Sequence, residues 1–275
     1  MVKNEGGVYT MNLIVIGPKG KMGKLIVKVA SSRKDMKLLY GIGPKGREYI
    51  NSDLGIVCNL GENISAKVVD NLKNVIDECD VIIDYSNPST SMAVFESSLK
   101  AKKAVVCGTT GFSIEQLDRI KEISTKIPVV YAANTSRVVN LMYSLLEIAA
   151  RAIGDTADIE IIEMHDKNKK DAPSGTSKEM GEVIAKALDK SLKEIVVYGR
   201  QGEGARVPGT IGYHSIRAGD IPSSHTVLFG LEGERLEITH HAHNWECFAQ
   251  GACEAASFIY GKKPGLYTVK DVLNL

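Results

Sequence analysis

The chain has no long apolar run: nothing in its 275 residues approaches the ~20 consecutive apolar residues that a membrane helix needs. It has no excess charge of either sign. Lys and Arg number 34 against 33 Asp and Glu, a net charge of +1, which gives no electrostatic footprint for nucleic acid or an anionic membrane. Cysteine is sparse: Cys58, Cys79, Cys107, Cys247 and Cys253 are scattered, odd in number and without metal-ligand spacing. That excludes a disulfide framework and is the pattern of reduced thiols in a cytoplasmic protein. Repeats and low-complexity segments are absent. The opening MVKNEGGVYT lacks the apolar core of a signal peptide and reads as a short extension before the first strand. With 44% hydrophobic and 24% charged residues, the chain can bury a proper core and suits two modest domains.

What is present begins with a glycine turn. Residues 12–16 are a short apolar run that stops at GlyProLysGlyLysMetGly, with Gly17, Gly20 and Gly23 followed by a helical pattern through Leu25, Ile26, Val29 and Ala30. Strand, glycine turn and helix in that order predict a dinucleotide site; the alternative is only a tight connection. A second strand over 38–42 ends at Gly43 and Pro44, then Lys45 and Arg47, where NAD-preferring sites place a carboxylate for the ribose hydroxyls. Without that carboxylate nothing repels a 2′-phosphate, so the reading leans to NADPH, with NADH as the alternative.

Strands are expected again at 81–85, 104–107 and 128–132, with helices near 90–99 and 114–124. Ser113 stands three residues before Gln116, the spacing of a capping box. This alternation predicts an α/β fold with a doubly wound parallel sheet, whose ligands sit at the carboxyl ends of the strands. Three polar motifs fall at those ends: DYSNP at 84–88, GTTG at 108–111 and AANTS at 132–136. Each is also an ordinary turn composition.

The most chemically loaded stretch is EMHDKNKKDAPSGT, residues 163–176. Residues 157–162 alternate like a strand entering it, and Met180, Val183, Ile184, Ala187 and Leu188 give a helical period after it. Thr176, three residues before Glu179, marks the expected helix start. Backbone N–H groups of Ser174, Gly175 and Thr176 at a helix N-terminus favour an anion, and Gly175 allows close approach. His165 is a candidate proton donor, and Lys169 is either a second donor or a point charge for a carboxylate. The combination predicts a pocket for a small carboxylate that receives a proton; a merely solvated loop is the alternative.

After Asn140 a helix is expected with Leu141, Met142, Leu145, Leu146 and Ala149 as its buried stripe. Runs at 157–164, 211–217, 226–230 and 235–241 predict a mixed four-stranded sheet, and the glycine-rich 199–212 a mobile loop. His240, His241 and His243 are no ready-made metal chelate, because consecutive strand residues point to opposite faces. A closing helix is expected over about 245–260.

The central stretch resembles the signature of the 4-hydroxy-tetrahydrodipicolinate (dihydrodipicolinate) reductases of lysine and diaminopimelate biosynthesis. Glu163, His165, Lys169, Asp171, Ala172, Pro173, Ser174, Gly175 and Thr176 stand in register with the pattern Glu-x-His-His-x-x-Lys-x-Asp-Ala-Pro-Ser-Gly-Thr. Lys21, Met22 and Gly23 match the family's Arg-Met-Gly turn with Lys for Arg, and the three polar motifs match in order. The resemblance implies a Rossmann-type domain, residues 1–134 and 245–275, and a smaller α+β domain, 135–244, that binds substrate and assembles homotetramers. It implies cofactor contacts from Gly17, Gly20, Lys21, Met22, Gly23, Lys45, Tyr85, Ser86, Gly108, Thr109, Thr110, Ala132, Asn134 and Thr135. It further implies that His165 is the general acid after hydride transfer to a cyclic dicarboxylate imine, with Lys169 as donor and cation. Thr110, Asp166, Lys169, Ser174, Gly175 and Thr176 then line the substrate.

Three departures stand out. Asp166 replaces the second His, Val138 a Gly, and Trp245 an Arg, with Asn244 at a Ser. If these residues only orient the chain, the family activity survives; if they read substrate, the protein acts on another imine or amine. The intact DAPSGT run, His165 and Lys169 favour the first. A non-catalytic NADPH-binding protein would be expected to have lost the His165–Lys169 pair.

Overall fold

The structure, a computed structural model, describes residues 10–275. Of the expected N-terminal extension only Thr10 lies within them. The chain divides into two compact units, one running to Arg137 and resuming at Trp245–Leu275, the other Val138–Asn244.

The first unit alternates strand and helix: β1 (Met11–Ile16), α1 (Lys21–Ser31), β2 (Met36–Ile42), α2 (Leu54–Val57), β3 (Lys67–Val69), β4 (Val81–Asp84), α3 (Pro88–Ala101), β5 (Ala104–Cys107), α4 (Ile114–Ser124) and β6 (Pro128–Tyr131). Then come α5 (Arg137–Ile153), β7 (Asp158–His165), α6 (Gly175–Ala187), α7 (Leu192–Ile195), β8 (Val196–Tyr198), β9 (Ile211–Arg217), β10 (Ser223–Leu231) and β11 (Glu234–Ala242), which build the second unit. The first is completed by α8 (Glu246–Ile259), β12 (Gly265–Tyr267) and α9 (Val269–Leu273).

Seven parallel strands form the first sheet in the order β12-β6-β5-β4-β1-β2-β3. The order reverses between β1 and β4, the position at which doubly wound sheets hold ligands. Every residue of β4 and β5 is buried. Helices cover both faces of such a sheet, so its strands read as continuous apolar runs. Each Val or Ile sealed there contributes roughly 1.5–3 kcal/mol of transfer free energy. α8 brings Ala249, Ala252, Cys253, Ala255, Ala256 and Ile259 into the same core as β1 and α1. Its small side chains allow close packing: a Cβ on Gly251 would stand 1.8 Å from the Thr135 carbonyl oxygen. The capping box at Ser113 and Gln116 is present. The three-residue β3 and β12 went unread because so short a run carries no period.

The second sheet is mixed and has five strands, β11-β10-β7-β9-β8, not the four expected. The addition is β8, three residues pairing parallel to the start of β9. Central β7 alternates strictly, burying Ile159, Ile161, Glu163 and His165 on one face. That face meets α5 and α6 through Met142, Leu146, Met180 and Ile184.

Two helix expectations are corrected. α5 begins at Arg137; Met142, Leu146 and Ala149 are buried as expected, but Leu141 and Leu145 are 42% exposed, and Val139, Tyr143 and Ala150 complete the buried stripe. The helix is apolar on both sides, so the periodicity fitted either stripe. α6 is capped by Ser174, whose Oγ accepts from Ser177 N at 3.1 Å, two residues before the expected Thr176. The 199–212 segment is tethered rather than loose. Arg200 binds both Glu160 oxygens, and Arg206 reaches Glu160, Asp158 and the carbonyls of Ile159 and Thr210.

Candidate active site

The glycine turn and the three polar motifs lie at the carboxyl end of the first sheet. Gly17 turns with φ +65°, its N–H donating to Ile42 O, and Gly20 N–H closes on Gly17 O at 2.9 Å. A Cβ on Gly23 would lie 2.1 Å from Gly17 O and 2.8 Å from Pro18 Cα, so only glycine lets α1 start against the turn. Gly20 caps α1 without a side-chain bond, and the first turn holds no acidic residue. The turn therefore suits the pyrophosphate of a dinucleotide. Met22 packs on the core, and the Lys21 ammonium sits 3.4 Å from the Trp245 ring centroid. Lys21, in place of the turn's Arg, and Trp245, one of the three departures, thus face each other as a cation–π pair.

The end of β2 explains the missing carboxylate. A Cβ on Gly43 would meet the Tyr49 ring at 2.8 Å, and Lys19 Nζ lies 4.7 Å from that ring's centroid. Lys45 and Arg47 are exposed on the following turn.

Tyr85 OH and Thr135 Oγ1 are 2.6 Å apart, and Thr135 Oγ1 also donates to Phe248 O. A Cβ on Gly108 would strike the Tyr85 ring, so those two positions are made for each other. The Thr109 hydroxyl turns inward, accepting from Ser91 Oγ at 2.9 Å, while Thr110 is exposed. Ser86 N–H donates to Asp84 Oδ1, Ala132 N–H to Cys107 O, and Asn134 Oδ1 accepts from Ser136 N. Burial raises the Asp84 carboxyl, whose Oδ2 has no protein partner, above the ordinary range.

In the second unit three strands converge on His165. Residues two apart on β7 share a face, and His165 Nδ1 lies 2.5 Å from Glu163 Oε2. An ionised carboxylate only accepts, so Nδ1 carries the hydrogen and Nε2 is the nitrogen left with an available lone pair. Glu163 is completely buried and also accepts from Ser174 N and, through both oxygens, from Arg217 at 2.8 and 2.7 Å. Burial pushes its carboxyl up. Hydrogen bonds from His165, Arg217 and Ser215 outweigh that and hold it well below the usual range.

On the other flank His225 pairs in register with Glu163 and places its ring 5.3 Å from that of His165. Burial and the neighbouring His165 and His240 charges lower it to about 3, so it stays neutral while its Nε2 contacts Ser174 Oγ at 3.2 Å. His241 points to the other side of β11, its Nδ1 2.7 Å from Ser224 Oγ.

Lys169 pairs with Asp171 Oδ1 at 2.8 Å. Asp166 closes the turn between His165 and Lys169: its Oδ1 accepts from Asn168 N and its carbonyl from Lys169 N. Gly175 opens α6 exposed, and a Cβ there would meet nothing within 4 Å, so the space above the helix N-terminus is open. Val138 is exposed in the first turn of α5. Sequence reasoning gave no role to Glu163 and missed Arg217 and His225. The period-two spacing of Glu163 and His165 was a legible signal; the cross-strand partners were not.

A doubly wound sheet with a glycine turn at its switch point, in a chain whose second unit presents a carboxylate-held histidine, defines an NAD(P)H-dependent oxidoreductase. The family models described as dihydrodipicolinate reductase, N-terminus and C-terminus, match residues 11–135 and 138–273. The chain belongs to the dihydrodipicolinate reductase family. It is 46% identical over 265 residues to the 4-hydroxy-tetrahydrodipicolinate reductase of Pseudomonas fluorescens, covering 96% of this chain and 98% of that one. To the enzyme of that name from Hahella chejuensis it is 43% identical over 264 residues, with the same coverages. Among solved structures it is similar to the dipicolinate-bound dihydrodipicolinate reductase of Paenisporosarcina sp., at 26% identity and a TM-score of 0.76, covering 94% of this chain and 97% of that one. The amine dehydrogenase of Mycobacterium smegmatis, 12% identical with a TM-score of 0.65 and coverages of 94% and 95%, shares the fold.

Proposed function

We propose that this protein reduces 4-hydroxy-tetrahydrodipicolinate, whose 4-hydroxyl leaves as water to give a conjugated cyclic imine, to tetrahydrodipicolinate in lysine and diaminopimelate biosynthesis, with NADPH as the preferred reductant. The carrying observation is the Glu163–His165 pair beside the open N-terminus of α6. Similarity to reductases of that name, one solved with the dicarboxylate dipicolinate bound, supports the substrate.

The nicotinamide supplies the hydride. Gly17, Gly20, Lys21, Met22 and Gly23 hold the pyrophosphate, and residues 84–86, 108–110 and 132–135 form the rest of the nucleotide face. His165 donates the proton from Nε2, while Glu163 at Nδ1 holds the ring and stabilises the charge on it. Ser174, Gly175 and Thr176 receive a substrate carboxylate at the helix N-terminus. Lys169, held by Asp171, supplies a second cation. The turn hydrogen bond of Asp166 supports an orienting role there, so the departure from His leaves the activity in place. The cationic end of β2 and the tight Gly43–Tyr49 packing favour the 2′-phosphate of NADPH over NADH. A cytoplasmic homotetramer assembled through the second unit completes the reading.

The test follows NADPH and NADH absorbance with substrate made in situ by the upstream synthase. NADPH should be the faster reductant, and His165→Ala should lower kcat by about 10²-fold or more. Nucleotide binding without turnover of this substrate would overturn the assignment in favour of a reductase for another imine.

A further inference from the structure

Both proton-handling side chains lead back to one arginine that the sequence did not single out. Arg217 ends β9, paired in parallel register with His165 on β7. Its Nη1 and Nη2 take the two oxygens of Glu163 at 2.8 and 2.7 Å, the carboxylate whose Oε2 holds His165 Nδ1. The same Nη2 donates to the backbone carbonyl of Asp171 at 2.6 Å, and the Asp171 side chain holds Lys169. We propose that Arg217 is a positioning residue for the reaction, holding His165 through the Glu163 carboxylate and Lys169 through the Asp171 backbone. This rests on the roles given to His165 and Lys169 above.

The geometry selects arginine. A planar fork meets both carboxylate oxygens and keeps donors for carbonyls; the single ammonium of lysine supplies charge without that pattern. The guanidinium is the fixed cation at Glu163. The other titratable groups around this cluster are His225 of β10, which is neutral, with His240 of β11 beyond it, and from the loop Lys169, which acts on His225, and Asp166 and Asp171, which act on the guanidinium. Without Arg217 the carboxylate stays buried with a hydrogen-bonded imidazole, the Ser215 hydroxyl and a backbone N–H, but no fixed cation, to keep it ionised. It then takes up a proton at higher pH, and a neutral Glu163 no longer dictates which imidazole nitrogen carries hydrogen.

Arg217→Met and Arg217→Lys in the full-length protein, with His165→Gln to assign the resonance, test this by two independent readouts. The ¹⁵N spectrum of labelled histidine reports the His165 tautomer without any turnover, and the pH dependence of NADPH oxidation reports Glu163. The parent should show His165 protonated at Nδ1 and no acidic limb from a carboxylate. Arg217→Met should show mixed tautomers, a kcat lower by about 10²-fold and a new acidic limb in the carboxylate range. Arg217→Lys, which keeps the charge and guards against a Met variant that fails to fold, should keep the tautomer and recover only part of the rate. A parental tautomer and pH profile in both variants, whatever the loss of rate, would reduce Arg217 to a structural clamp and overturn the proposal. If the parent itself does not reduce the substrate, the functional reading fails, and the tautomer still decides the role of Arg217.

Discussion

Glu163 and Glu160 sit three residues apart on opposite faces of β7, and each is kept ionised by arginines from elsewhere in the chain. Burial pushes the Glu160 carboxyl up, but Arg200, His214 and Arg206 outweigh it and bring the value down to about 2. A depressed folded value means that the stability from this ion is complete above the ordinary carboxylate range. It is lost as pH falls through the folded value. Melting temperature should therefore decline between roughly pH 5 and pH 2, and Glu160→Gln should flatten that decline while lowering the melting temperature at neutral pH. A variant that tracks the parent across this range would show that the tether of 199–210 contributes no pH-dependent stability. None of this was legible in the sequence: a glycine-rich loop with two arginines reads as mobile until its carboxylate partners are placed on β7. His165 and Lys169 were legible because their motif is long and local. Arg217 and His225 were not, because they reach the site through strand register.

The glycine turn and α1 were legible from spacing alone, since a strand stopping at three glycines leaves few alternatives. The N-terminus of α6 was placed two residues late because Thr176 and Ser174 both offer capping chemistry and only the Ser177 bond decides. For the turn, the packing of α8 against α1 supplies a direct assay. Trp245, the only tryptophan in the chain, is the N-cap of α8 and touches Lys21. NADPH binding at the turn should change its emission saturably, and Lys21→Met should weaken the half-saturation by roughly 3–10-fold, the scale of one surface cation on phosphate or ring. Emission indifferent to NADPH in the parent would remove the turn from the nucleotide site.

Across the whole chain, the fold class was readable because buried parallel strands and half-buried mixed strands leave different patterns. The strand count of the second sheet and the buried face of α5 were not, because three-residue strands lack a period and α5 is apolar on two sides. Its outer stripe of Val138, Leu141, Leu145 and Ile148 is exposed, as are Ile216 and Leu236 on the second sheet. No helix among the described residues is long and apolar enough to cross a membrane. One experiment bears on the whole reading. NADPH carrying deuterium at the transferable position is mixed with enzyme and freshly generated substrate in ordinary water, and the product is weighed by mass spectrometry. The account predicts tetrahydrodipicolinate heavier by one mass unit, formed at least about 10²-fold more slowly by His165→Gln. Unlabelled product, or labelled product formed by His165→Gln at the parental rate, would contradict it.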